Sequence, residues 1–297
     1  MNEINRREFF KKCYQIGGYA AIAGLGLGAV RDARGWGILP AVVGGAAISW
    51  TTWKEDSEAT LVKGSDGAHI WVFICDGGAG VNETAQSGTA LSGANLVATQ
   101  NGSIAGHVNN WRSLDGTDDY FTLSQIMIDT LIANANKTWT VLFHINNWAG
   151  IDTDRLFSIR GGVTAEFLEL VRGDAAWAGG SSGKLTLLHY EDSVTNQDKT
   201  TNNFPTGNVW VGVWSDAVNT TRFGFTAAGS GAAGQPTKWS DFAAGNRSSS
   251  STLKGNYAGE AFDTQREIGA HNAGSLWSPF DLKTVVIADT CLIDNNS

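Results

Sequence analysis

The stretch that decides the fold is "NVWVGVWS" (Asn208–Ser215), followed five residues later by "TRFGFTA" (Thr221–Ala227). β-Branched and aromatic residues dominate both runs with partial alternation, and each run carries a glycine, which costs about 1 kcal/mol inside a helix relative to alanine. Both read as strands. The same pattern recurs on either side, in "HIWVFICD" (His69–Asp76), "TWTVLFHI" (Thr138–Ile145), "RLFSIRG" (Arg155–Gly161), "EFLELVRG" (Glu166–Gly173), "KLTLLHY" (Lys184–Tyr190) and "KTVVIADTCLID" (Lys283–Asp294). Glycine and asparagine turns separate them, no fixed-period repeat is visible, and one helical candidate, Leu123–Ala135, interrupts them. Short strands at this spacing predict an all-β, two-sheet antiparallel jelly-roll sandwich.

Composition agrees. The chain of 297 residues has 37 glycines, 4 prolines and 12 tryptophans, is 17% charged, and carries a net charge of −8. Its length supports a core that needs neither metal nor disulfide. The basic residues gather at the front, at Arg6, Arg7, Lys11, Lys12, Arg31 and Arg34, and leave an acidic body. Nucleic acid, whose affinity rests on neutralising phosphates, is a poor partner for such a surface.

The first residues read differently. "NRREFFKK" (Asn5–Lys12) precedes "IGGYAAIAGLGLGAV" (Ile16–Val30), a uniformly apolar run with five glycines and no helical polar stripe. A charged head, a moderately apolar run and then small residues is the layout of an export signal. "RREFFKK" resembles the twin-arginine signal, with Arg6 and Arg7 as its pair. The resemblance implies a helical segment over residues 1–35, the twin-arginine export machinery as partner, an exported location, and a cut after Gly35. Residues 36–66, including the apolar "GILPAVVGGAAISW" (Gly37–Trp50), form an extension or linker. The apolar run is shorter than the roughly 20 residues of a membrane span.

From residue 67 to 297 the order of motifs resembles the laminin G-like, concanavalin A-type jelly roll. "IWVFICDGGAGVNETAQSGTALSGANLVA" matches its opening, "SLDGTDDYFTL" its aspartate-glycine turn and strand, and "GNVWVGVWSDAVNTTRFGF" its tryptophan strand and hairpin. "REIGAHNAGSLWSPFDLKTVVIADTCLIDN" matches its isoleucine-glycine turn and closing strand. Many members bind calcium through an aspartate in the early polar loop. Here Gln86 stands there, which leaves Glu83 and Asp289 as the residues to hold calcium as a cofactor. In this fold the first and last strands are neighbours, so the resemblance implies a disulfide between Cys75 and Cys291 in an oxidising compartment, with two buried thiols as the alternative.

The laminarinase-like hydrolases share the jelly roll, and their chemistry needs two carboxylates about 5 to 5.5 Å apart for retention. The nearest pair in sequence, Glu166 and Glu169, is three residues apart, which places the two on opposite faces of a strand. Asp115, Asp118 and Asp119 read as a tight turn. The five histidines show no metal-binding spacing, and no nucleophile elbow is present. No catalytic residue is therefore assigned.

Tryptophans in glycine-, asparagine- or serine-rich stretches, Trp148, Trp177, Trp239 and Trp277, are the candidates to stack on sugar rings. The expectation is a secreted, non-catalytic domain that binds glycan or another surface polymer. A self-assembling surface, appendage or virion protein, forming a homo-oligomer through residues 37–50, is the alternative, and a jelly-roll glycoside hydrolase or lyase the third reading.

Overall fold

The apolar runs form the strands that their composition demands. A computed structural model describes residues 28–31, 38–41, 70–75, 77–84, 97–108, 111–132, 138–148, 153–162, 166–173, 182–191, 194–216, 221–230, 235–250, 257, 261–271 and 277–294. In chain order the strands are β1 (Gly28–Arg31), β2 (Ile38–Ala41), β3 (Ile70–Ile74), β4 (Glu83–Thr84), β5 (Val97–Asn101), β6 (Arg112–Asp115) and β7 (Tyr120–Leu123). After helix α1 (Gln125–Leu131) come β8 (Thr138–Asn146), β9 (Arg155–Arg160), β10 (Phe167–Arg172), β11 (Lys184–Glu191) and β12 (Val194–Asn203). The last are β13 (Val209–Asp216), β14 (Thr221–Phe225), β15 (Arg247–Ser250), β16 (Gln265–Ile268) and β17 (Pro279–Ala288).

β1 and β2 pair with each other, and β3 to β17 build an all-β sandwich of two antiparallel sheets. One has eight strands in the order β12-β11-β10-β9-β16-β7-β5-β4, the other seven, with β15-β14-β13-β8-β17-β3 in line and β6 on β17. Alternation along β3, β8, β13 and β17 turns Trp71, Phe73, Trp139, Val141, Phe143, Val211, Val213, Val285 and Ile287 inward. They meet Phe121, Phe157, Ile159, Leu168, Leu170, Leu187 and Ile268 of the other sheet. Full burial of each large side chain contributes about 1.5–3 kcal/mol.

The alternate residues of the seven-stranded sheet are apolar too. Val72, Ile74, Leu142, Trp210, Trp214, Val286 and Ala288 form a second core on its outer face with Phe242, Leu292 and Ile293. Two segments close over that face and join each other, since Trp239 N donates to Asp294 O at 2.8 Å and Asp294 N to Thr237 O at 2.8 Å. Burial on both faces explains why "NVWVGVWS" alternates only partially. Gly212 sits where a Cβ would collide with Leu142 of β8, which accounts for the glycine in its middle.

Three expectations are corrected. The helix of the export segment does not reach Gly28–Arg31, which pairs antiparallel with Ile38–Ala41. The rest of residues 1–35 lies outside the described residues. The helical candidate shrinks to Gln125–Leu131, with Ser124 as N-cap and Leu123 ending β7, because Leu123 points into the sandwich as a strand residue.

The third correction concerns Cys75 and Cys291, which are thiols. β3 and β17 are neighbours, but they pair antiparallel with Ile74 opposite Thr284 and Ile70 opposite Ala288. Cys75 therefore lies level with Lys283, whose carbonyl accepts its N–H at 2.8 Å, while Cys291 follows the opposite end of the pairing. They also belong to different layers, Cys75 to the inner core and Cys291 to the outer one. A disulfide requires Cα atoms within about 7 Å, which this register forbids.

Candidate binding face

The remaining large face, the outer side of the eight-stranded sheet, is polar where the others are apolar. Register builds it in rows. Glu169 of β10 lies opposite Ser158 of β9, Ser158 opposite Glu267 of β16, and Glu267 opposite Thr122 of β7. One step along, Gln265 lies opposite Arg160, Arg160 opposite Phe167, and Phe167 opposite Tyr190 of β11. Period two then puts both rows on one face, opposite to Phe157, Ile159, Leu168 and Ile268, which fill the core.

The first row is a connected network. Glu169 is buried; its Oε1 accepts from Ser158 Oγ at 3.2 Å and lies 3.1 Å from His271 Nδ1, and its Oε2 accepts from Arg155 Nε at 3.3 Å. Gln265 Nε2 stands 2.5 Å from Ser158 Oγ, 3.4 Å from Glu267 Oε2 and 3.1 Å from His271 Nδ1. Its Oε1 is buried without a partner. Burial pushes the Glu169 carboxyl up, but the His271 hydrogen bond and the Arg155 and His271 charges outweigh it and hold it below the usual carboxylate range. Glu169 is thus an ionised anchor, not a proton donor at neutral pH. The Tyr120 phenol, also on this sheet, is pushed up by burial and by the Glu267 charge.

His271 reaches the network through a turn. Gly269, directly after β16, has φ +88°, and a Cβ there would collide with Leu114. Its N–H donates to Leu156 O at 3.0 Å and its carbonyl accepts from Ser278 N at 2.9 Å. Only glycine fits both the left-handed backbone and the space.

The second row is a ladder of planar groups. The Phe167 and Tyr190 rings stack at 6.1 Å with 16° between their planes, and the Arg160 guanidinium lies 5.1 Å over Phe167. All three side chains are half-buried, so their outer edges meet solvent. Stacked aromatics beside hydrogen-bonding groups of both kinds can hold a polyhydroxylated ring, whose apolar face packs and whose hydroxyls bond.

The sequence candidates fall elsewhere. Trp148 is buried in the inner core, with Phe204 at 4.9 Å and Phe280 at 6.3 Å; Asn147, at φ 54°, turns the chain back after β8 and folds the ring inward. Trp239 is half-buried over the outer face of the seven-stranded sheet, 5.6 Å from Trp214 and held between Arg247 at 4.5 Å and Arg222 at 5.2 Å. Trp277 is half-buried next to Ser278, whose Oγ donates to Arg155 O at 2.7 Å, so its backbone borders the network. Trp177 lies outside the described residues.

The calcium pair is not assembled. Glu83 is buried against Arg112, with Oε1 2.6 Å from Arg112 Nη1 and 3.2 Å from Gly77 N. Arg112 lies level with Leu282, whereas Asp289 follows the other end of β17, about 20 Å further at the rise of a strand. Asp115, Asp118 and Asp119 converge within 4.8 Å, as a turn: Asp119 accepts from Ser103 N and Asp115 N, and Asp115 from Thr117 N and Asp118 N.

What sequence reasoning missed is the second carboxylate. Glu169 was paired with Glu166, its neighbour in the chain, whereas the sheet brings Glu267 to its face from a distant strand. The local signal was the Gln-x-Glu alternation of "QREI" at Gln265–Ile268, where Arg266 and Ile268 take the other face.

No family model matches the chain, and no curated protein does. Among solved structures it is similar to the NanB sialidase of Streptococcus pneumoniae in its K499G mutant form, with TM-score 0.42, 8% identity, and 60% of this chain and 26% of that one covered. It is also similar to the binding domain of botulinum neurotoxin serotype D/C, with TM-score 0.44, 8% identity, and 75% and 49% covered. A protein of unknown function from Shewanella oneidensis MR-1 matches with TM-score 0.42, 9% identity, and 78% and 90% covered. The match spans about a quarter of the sialidase chain and half of the toxin chain.

Proposed function

We propose that this protein is an exported, non-catalytic recognition domain that binds glycan on the outer face of its eight-stranded sheet. One observation carries the reading: a buried hydrogen-bonding network with an unsatisfied amide oxygen, at Gln265, adjoins a half-buried aromatic pair, Phe167 and Tyr190. A sugar hydroxyl is the donor that such an acceptor lacks, and the exposed ring edges flank the place where it would enter. A glycan array probed with the folded protein is expected to give binding that Phe167→Ala and Tyr190→Ala each weaken at least tenfold, the effect of losing one aromatic contact of roughly 1.5 kcal/mol. Binding that survives both substitutions would exclude this face. Export rests on Arg6, Arg7 and the apolar run behind them; mass spectrometry of the exported protein is expected to find Trp36 at the N terminus, and an intact leader would overturn the cut.

A hydrolase or lyase is the second reading, favoured by Glu169 and Glu267 sharing one face across β9. Against it, both Glu169 oxygens are engaged and the group is held ionised, which leaves the acid half of the pair to Glu267 alone. Release of new reducing ends from a bound glycan, abolished by Glu267→Gln, would establish the enzyme.

A further inference from the structure

We propose that the glycan carries an oxyanion, a carboxylate or sulfate on the sugar, and that Arg160 receives it. This rests on the binding face described above and names the substrate class it takes.

The arginine that joins the network is engaged. Arg155 donates to Glu169 Oε2 at 3.3 Å. Arg160 differs. Its Nε is buried without a partner, and no carboxylate among the described residues pairs with its guanidinium. The group lies flat over Phe167, which lies against Tyr190, so aromatic packing limits the orientations open to its fork of donors. A half-buried cation with an unsatisfied donor is costly unless a ligand completes it, and the complement of a planar guanidinium is an oxyanion that accepts two hydrogen bonds. The cross-strand neighbour Gln265 leaves an unpartnered acceptor beside it, suited to a hydroxyl of the same sugar. A cation and an acceptor side by side, next to an aromatic platform, match an acidic sugar better than a neutral one.

At a net charge of −8, long-range attraction works against an anion, so selectivity has to be local.

The test uses the full chain on a panel in which carboxylated and sulfated glycans each stand beside their neutral counterparts. Wild-type protein is expected to bind at least one acidic class about tenfold or more above its neutral counterpart, the worth of a charge-assisted contact. The carboxylate and sulfate arms tell which oxyanion is read. Arg160→Gln is expected to erase the preference by lowering acidic-glycan binding about tenfold or more and neutral binding by less, and Arg160→Lys to keep part of it for sulfate, which tolerates a point charge, more than for carboxylate. Unchanged thermal unfolding shows that the variants fold. Equal binding of acidic and neutral glycans, or a preference that survives Arg160→Gln, overturns the inference and leaves glycan recognition standing. No binding to any glycan overturns both.

Discussion

His189 shows how far a single residue departs from what its type predicts. It lies on β11 opposite Leu168, is fully buried, and neither ring nitrogen has a partner. Burial alone pushes its pKa down to about 3. The sign of the linkage follows: the unfolded chain takes a proton near pH 6.5 that the folded one refuses until about pH 3, so stability is lost as pH falls through that window, by up to about 1.4 kcal/mol per pH unit. His189→Leu is expected to flatten urea-unfolding stability between pH 6.5 and 4.5 and to raise it at pH 5. A slope unchanged by the substitution would refute the assignment. Glu169 acts lower: its carboxyl is held below the usual range, so its contribution is present above the unfolded pKa and is lost as pH falls through and below the ordinary carboxylate range. Neither behaviour was legible in "KLTLLHY" or "EFLELVRG", because each depends on what the opposite layer or the next strand places around one side chain.

Among the elements, the segment Trp239–Asn246 covers a sheet face at the place where the sequence suggested a ligand contact. Trp239 precedes Phe242, and both rings pack on Trp214 of β13, at 5.6 Å and 5.1 Å. Without that cover the outer apolar face of the seven-stranded sheet would meet water. Trp239→Ala is expected to cost about 1.5–3 kcal/mol in urea unfolding, from lost burial and cation–π contacts, and to leave the proposed glycan binding unchanged. Weakened glycan binding with full stability would return Trp239 to the role the sequence suggested. β12 is the element the sequence hid: "VTNQDKTTNN" has no apolar alternation because it is an edge strand that pairs only with β11. Its charges suit an edge, where they discourage pairing with another chain.

For the molecule as a whole, strand register separates what order in the sequence had brought together. Cys75 and Cys291 flank neighbouring strands yet lie at opposite ends and in different layers. Labelling after unfolding without reductant is expected to find both thiols reactive, and dithiothreitol is expected not to lower Tm; an inaccessible pair would contradict the register. The sequence by itself determined the sandwich, because β-branched and aromatic runs between glycine turns have few other ways to bury themselves, and it determined the acidic charge. Only the tertiary structure decided which tryptophans are core, which carboxylates meet, and which sheet face stays polar. Those facts follow from pairing between distant strands, where a shift of one residue would turn Glu169, Gln265 and Glu267 inward and Leu168 and Ile268 outward.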